Sequence, residues 1–501
     1  MEKSPVVSKK YLVPFILVTI LFPLWAFANN FTDPFVKVFK DVFNTSNDKA
    51  AWVQMAFYGG YATMAIPAAI FIRKFSYKAG ILVGLLLFAV GALITIPAAQ
   101  SVNFTLFIIA FYILTFGLAF LETTANPFIL SMGSEETATR RLNLAQAFNP
   151  IGALAGAGVA AAVVLPSLDM AAFKHDVGSI QAELSPADSA ESEHYILPFL
   201  KHTPKENLND PNVRSYLENT PVEDLGKLTE QTITAYQNGD IATFDGKSFV
   251  ELQEHDLSLA STSYTILGIT VLAVFLIFVF YKVPEQRHEK GEALNLGATA
   301  KRLFANPRYL GGVVAQIFYV GVQIMVWTYI FHYCENELGI DNATAGKHQI
   351  AALVLFLGFR FVCTYFLKYI SPGKLLALLS IGGIATTLGA IYLSGMAGLY
   401  SLMGISACMS LMFPTIYGIA LEGVGEDAKL GSAGLIFAIV GGAFMPKLQG
   451  MMIDSGDMFG LTATRASFYL PVLCFVIIAV YGLAFRRPRP VIHVTEPGEA
   501  I

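Results

Sequence analysis

Two carboxylates stand where a membrane makes them expensive. Glu122 lies inside the apolar run Phe104 to Met132, and Asp33 follows the first apolar run directly, just before Pro34. An acidic side chain at the centre of a membrane helix costs about 2.5 to 3.5 kcal/mol on insertion scales, so it marks a proton, ion or substrate pathway. Burial disfavours the charged form of a carboxyl, which lets such a group exchange a proton near neutral pH.

Amides and aromatic rings accompany these acids. Asn126 is one turn from Glu122 on the same helical face, which predicts that the two line one cavity. Asn143, Gln146 and Asn149 recur every three residues and make a polar stripe. Asn30 precedes Asp33; Gln54, Tyr58 and Tyr61 share the second apolar run, and Gln316, Tyr319, Gln323 and Trp327 the seventh. Amides suit the hydroxyl groups of a polar ligand and an indole its C–H face, the pattern of a pocket with few polar groups in apolar surroundings. Each amide alone also reads as an interhelical tie, and it is the set that points to a ligand. Structural readings exist for the acids too: Asp33 as the cap of a short helix from Pro34 to Phe43, Glu122 as an interhelical hydrogen bond.

Composition says what must hold these residues. The 501-residue chain is 54% apolar and 14% charged, against roughly 25% charged in soluble domains. Its net charge of −4 comes with no basic patch suited to nucleic acid. Cys334, Cys363, Cys408 and Cys474 fall in or at the ends of apolar runs, which argues against a disulfide framework or a zinc site. Lys9 and Lys10 before an apolar run ending Ala26-Phe27-Ala28 resemble a signal peptide, but the run from Tyr11 is long enough to span a bilayer and reads as a retained first helix.

Twelve such runs lie near 11–31, 51–73, 78–98, 103–131, 141–167, 258–281, 308–333, 347–370, 373–393, 397–421, 430–453 and 463–485. They predict an all-α membrane protein of twelve transmembrane helices in two six-helix halves. Arg73, Lys74, Lys78, Arg140, Arg141, Arg287, Lys368, Lys374 and Arg486 fall on one side, which places both termini in the cytoplasm. The halves echo each other: a basic turn follows the second helix of each, and the fourth and tenth runs each carry an interior proline, Pro127 and Pro414. Gly152, Gly156, Gly158, Gly441 and Gly442 predict close helix contacts.

The chain then divides into an N-terminal unit of five helices (1–167), an acidic extracytoplasmic insertion (168–257), a sixth helix (258–281), a cytoplasmic linker (282–307), the C-terminal half (308–487) and a tail (488–501). In the insertion, Tyr216, Leu217, Leu225, Leu228 and Ile233 predict the packed face of a small helical cap. His175, His194, His202 and His255 fit no metal spacing and read as solvated. Arg360, inside the eighth run, reads as structural, paired or snorkelling. Arg73 and Arg141 face Glu422, Glu426 and Asp427 as prospective ion pairs between the halves.

Specific motifs add a family. Ala28-Asn29-Asn30 with Asp33-Pro34, Phe57-Tyr58-Gly59-Gly60-Tyr61, Leu121-Glu122-Thr-Thr-Ala-Asn126-Pro127-Phe128 and Arg141-Leu-Asn143-Leu-Ala-Gln146 closely resemble the fucose permease branch of the major facilitator superfamily. The resemblance covers all twelve runs and is interrupted by the insertion. It implies Asp33 as the proton-coupling carboxylate and Glu122 as the group that meets the sugar or couples its binding to protonation; the residues by themselves do not divide those roles. Together with the amides and rings read above, the expected sugar set is Glu122, Asn30, Asn126, Asn143, Gln146, Asn149, Gln54, Tyr58, Gln323 and Trp327. Gln323 and Trp327 look like the fucose form of the seventh helix, which favours L-fucose over the glucose or galactose carriers of the branch.

The resulting expectation is proton-coupled import of a monosaccharide by a monomer in a bacterial-type inner membrane, with lipid around it, no nucleic acid partner and no cofactor beyond the coupling proton. Sodium in place of the proton stays open, because Asn29, Asn30 and Asp33 offer oxygen ligands. A non-transporting sugar receptor is the rival from another class. No nucleophile–base pair, metal spacing or nucleotide loop suggests an enzyme.

Overall fold

The computed structural model of the chain describes residues 5–32, 39, 42–43, 47–170, 172–174, 176–177, 210–219, 228–282, 296–340 and 342–487. Asp33, Leu225, His175, His194 and His202 lie outside the described residues, as does most of the segment from Pro34 to Phe43.

Twelve helical spans are long and apolar enough to cross a bilayer. They are α1 (Lys9–Thr32), α2 (Met55–Lys74), α3 (Tyr77–Gln100), α4 (Phe104–Ser131), α5 (Glu135–Val164), α6 (Phe249–Phe280), α7 (Pro307–Leu338), α8 (Thr344–Phe366), α9 (Pro372–Tyr392), α10 (Met396–Ala420), α11 (Ala428–Asp454) and α12 (Ala463–Ala484). In lipid a backbone must satisfy its own polar groups, which leaves helix as the form for each run. Polar caps set several starts: Ser76 accepts the Ala79 N–H at 3.1 Å, Asn103 that of Leu106 at 3.0 Å, and Asn306 that of Arg308 at 3.1 Å.

Prolines shape the spans in two ways. In α5 the helix stops at Gln146 and restarts at Asn149, with Pro150 in the new first turn. In α10 it stops at Met409 and restarts at Met412, ahead of Pro414. Each ring excludes the carbonyl four residues earlier. Pro127, by contrast, sits inside the unbroken α4 and leaves the Thr123 carbonyl without its helical donor.

The halves repeat their packing. Gly152 of α5 lies on the Pro23 backbone of α1, and Gly441 of α11 lies on the Ile317 backbone of α7, so close that a Cβ at either position would overlap the partner chain. Gly156 meets Phe27 in the same way, whereas Gly158 faces open space and takes no part in the contact. Likewise α3 packs on α4 and α6, as α9 packs on α10 and α12. The apolar core of the first half extends across the seam to Tyr417, Ala433 and Ile436, and a second core fills the other half.

α6 starts at Phe249, where the run of apolar residues alone places it at 258. A capping box between Ser248 and Glu251 fixes this start. Thirty-two residues extend about 48 Å at 1.5 Å per residue, beyond a hydrocarbon core of roughly 30 Å, so the first turns belong to the insertion. There Asp256 is fully buried and accepts the N–H groups of Asp169 and Met170 at 2.8 and 2.9 Å. His255 stays substantially exposed while its Nδ1 lies 2.9 Å from the Asp169 carboxylate, and Lys247 pairs with the same group.

The described part of the insertion is a helical cap. Asp210 accepts the Asn212 N–H at 2.8 Å and starts the helix Pro211–Asn219; a second helix runs Leu228–Asn238. Leu217, Leu228 and Ile233 are buried there, and Phe173, Tyr236, Phe244 and Phe249 join them in ring contacts of 5.0 to 5.3 Å.

Candidate functional site

A cavity of about 210 Å³ opens at the seam between the halves. Its first wall is polar: Asn29 and Asn30 from α1, Tyr58 and Tyr61 from α2, Glu122 from α4, Gln146 and Asn149 from α5, with the Trp25 ring beside them. The opposite wall is mostly aromatic, with Tyr319, Gln323 and Trp327 from α7, Phe356 and Arg360 from α8, and Phe413 from α10.

Glu122 is 7% exposed, and its Oε1 accepts the Tyr61 hydroxyl at 2.9 Å. The Asn29 amide approaches the Tyr61 oxygen at 3.5 Å, a loose contact that leaves it free to turn toward a ligand. Thr32 also reaches the cavity, and Tyr264 of α6 donates to its hydroxyl at 2.8 Å, so the end of α1 just before Asp33 is held in place.

Asn126 does not line the cavity. Its amide donates to the Glu122 main-chain carbonyl at 3.0 Å and its Oδ1 accepts from Gln146 at 2.8 Å, so it braces the wall from behind. Asn143 is also elsewhere: it exchanges hydrogen bonds with Thr415 of α10 at 3.2 and 3.3 Å, below the cavity. The turn at Ala147 and Phe148 divides the stripe, leaving Gln146 and Asn149 on the cavity side. Gln54 falls within the helix Asn47–Lys74, and its side chain lies outside the described residues.

Trp327 is held rigidly. Its indole N–H donates to Ser406 at 3.2 Å, and its ring meets Phe356 edge-on at 5.2 Å. A fixed aromatic face of this kind can receive the C–H side of a sugar ring at little cost in side-chain entropy.

Arg360 corrects the snorkelling alternative. It is 2% exposed, lines the cavity, and holds its guanidinium 5.1 Å from the Phe356 ring centre. Trp25 and Phe356 carry no sequence signal of their own, since nothing distinguishes them from the other aromatic residues of apolar runs.

One end of the cavity is sealed. The helix pairs α2–α11, α4–α11, α5–α10 and α5–α8 cross the seam. Ser432 of α11 donates to the Thr123 carbonyl at 3.1 Å, and Gly418 of α10 abuts Thr139 of α5. Nearest the basic loops, Asp427 accepts from Arg302 at 2.7 and 2.8 Å and from Thr299 at 3.1 Å, with Arg73 of α2 at 3.9 Å. Two expected pairings differ. Glu422 pairs with Arg308 inside its own half. Arg141 is buried and donates to main-chain carbonyls of the first half, Ile129 at 2.7 Å and Val6 at 2.9 Å. Its charge is therefore spent on tying the N-terminal segment to α4, not on an acid across the seam.

Comparison with known proteins agrees with this architecture. The sequence pattern of the Major Facilitator Superfamily matches residues 17–171. The L-fucose-proton symporter of Haemophilus influenzae is 44% identical over 479 residues, covering 96% of this chain and 98% of that one. The chain belongs to the fucose permease branch of the major facilitator superfamily.

A second relative in that branch, the L-fucose-proton symporter of Escherichia coli, is 30% identical over 96% of this chain and 95% of its own length. The crystal structure of FucP, a major facilitator transporter in its outward conformation, matches with a TM-score of 0.72 at 29% identity, over 96% of this chain and all of that one. This member of the branch is a multi-pass membrane transporter and not an enzyme.

Proposed function

We propose that this protein imports L-fucose with a proton by alternating access. The observation that carries the reading is Glu122: a carboxyl buried in the polar wall of a cavity that lies between two repeated halves and is sealed at one end. The identity to L-fucose-proton symporters supplies the sugar and the ion.

The sealed end is cytoplasmic, together with both termini, and the chain lies in a bacterial inner membrane as a monomer. Asp33 and Glu122 carry the proton. Glu122, Asn30, Gln146, Asn149, Tyr58, Gln323 and Trp327 meet the sugar directly, Gln54 joins them from the turn of the helix Asn47–Lys74 that precedes α2, and Asn126 and Asn143 act behind the wall and toward the sealed end. The units 1–167, 168–257, 258–281, 282–307, 308–487 and 488–501 serve as first half, cap, sixth helix, linker, second half and tail. A potential of 100 mV contributes about 2.3 kcal/mol per proton, enough for roughly 50-fold accumulation.

The test is labelled L-fucose uptake into proteoliposomes under an inward proton gradient, in competition with D-galactose and D-glucose. Uptake driven by the gradient and competed best by L-fucose is expected. Glu122→Gln should keep an acceptor for Tyr61 but lose accumulation. A sodium requirement, preference for another hexose, or binding without translocation would each replace this reading with a different one.

A further inference from the structure

The second wall of the cavity holds two polar groups that its own helices leave unused. Arg360 on α8 and Tyr319 on α7 both line the cavity, at 2% and 0% exposure. Neither the Arg360 Nε–H nor the Tyr319 hydroxyl has a hydrogen-bond partner among the described residues. Buried donors are nearly always satisfied, because an unmade bond costs about 1 to 3 kcal/mol. The Phe356 ring holds the guanidinium plane from one side, which fixes its orientation without consuming a donor.

We infer that Arg360 and Tyr319 form a specificity clamp, donating from the second half to hydroxyl oxygens of the bound monosaccharide. This rests on the sugar-transport reading above and adds to it two donors from the half that otherwise presents Gln323 and aromatic surface. Sugar hydroxyls are acceptors as well as donors, and a guanidinium is a donor only, so the pairing reads the position of oxygen lone pairs. Glu122 and the amides opposite can accept the hydroxyl protons. A bound sugar then bridges the two halves, its oxygens held by the clamp and its hydroxyl protons by Glu122 and the amides, which gives the halves a reason to close around it.

The experiment measures equilibrium binding of L-fucose, and of L-fucose analogues lacking one hydroxyl each, to the purified full-length carrier. Arg360→Met should weaken L-fucose roughly 10- to 100-fold, the loss expected for a hydrogen bond from a charged donor. Tyr319→Phe should weaken it by less. The decisive readout is the analogue series: wild type discriminates against the analogue missing the clamped hydroxyl, and Arg360→Met binds that analogue and L-fucose equally. A merely structural arginine would lower affinity for every analogue in proportion. Arg360→Lys and the single-hydroxyl change Tyr319→Phe, each checked for thermal unfolding, carry the test if Arg360→Met does not fold. Unchanged affinity in the variants, or undiminished discrimination against every analogue, overturns the clamp. If wild type binds D-galactose or D-glucose in place of L-fucose, the transport reading changes its sugar and the same cycle is run on that sugar. Binding of none of the three overturns both.

Discussion

Ser432 of α11 donates its hydroxyl to the main-chain oxygen of Thr123 in α4 at 3.1 Å, the carbonyl that Pro127 leaves without an N–H. A proline that would ordinarily weaken its own helix has exposed an acceptor to the other half. The same hydroxyl also lies 2.7 Å from its own helical Lys429 carbonyl, so its hydrogen is shared between the halves. Sharing makes the bond easy to break and remake, which suits a seam that must open in every cycle.

Replacing Ser432 by Ala should therefore weaken the seal modestly, by about 0.5 to 1 kcal/mol, or two- to fivefold in the closed-to-open ratio. Spin-label distances across the sealed end, with and without sugar, measure this ratio. An unchanged distribution would remove this bond from the seal.

A bulkier residue at Gly418 should act more strongly. A Cβ there would sit 2.5 Å from Thr139 Oγ1 and 2.8 Å from its Cγ2. Gly418→Val wedges α10 from α5 and separates Asn143 from Thr415, so cysteines placed at the sealed end should label at least tenfold faster. Thr139→Ala in the same chain should restore part of the closure, since removing the opposing hydroxyl makes room; additive effects would argue that the two residues do not meet.

The salt dependence and pH dependence of the seal follow from Asp427. Its carboxyl is held below the ordinary carboxylate value, first by hydrogen bonds from Arg302 and then by Thr299 and by the charges of Arg302 and Arg73. The sealed form thus binds fewer protons at this site than the open form. Its contribution is fully present above the ordinary Asp value of about 3.9 and is lost as pH falls through the depressed value. Between pH 5 and 8 the latch should be flat, leaving the intramembrane carboxyls to supply any pH dependence of uptake. Asp427→Asn should shift the seal by less than about 1 kcal/mol and abolish its sensitivity to salt, because the site is partly exposed. Labelling rates at the sealed end across pH 4 to 8 and from 50 mM to 500 mM salt would check both.

Asp256 ties the cap to α6 with a buried carboxylate on two backbone N–H groups. Asp256→Ala strands both donors and should cost about 3 kcal/mol of stability. Thermal unfolding would show this as a lowered transition, and proteolysis should begin in the insertion. Asp256→Asn, which keeps one acceptor oxygen, should cost less.

Much of this protein was determined by its sequence because water and lipid impose rules that need no neighbour to apply. Twelve apolar runs must be helices, and Glu122 stands out since its cost in lipid depends on the run around it alone. Gln146 and Asn149 line the cavity as their spacing anticipated, and Tyr58, Gln323 and Trp327, singled out by residue type and resemblance, line it too. Tertiary structure decided what spacing cannot express, namely which helix covers each face. Asn126 is on the face of Glu122 yet is covered by Gln146 of α5, and Asn143 belongs to the stripe yet meets Thr415 across the seam. Arg141 looks like a partner for acids and is consumed by carbonyls brought to it by the fold; Arg360 looks structural and lines the cavity with Phe356, one turn earlier on α8, because that face of α8 is the one laid on the seam. The start of α6 at Phe249 depends on a cap and on a buried bond to Asp169, contacts that hydropathy does not register. Periodicity selects a face of a helix, and only the packing of the halves selects what that face sees.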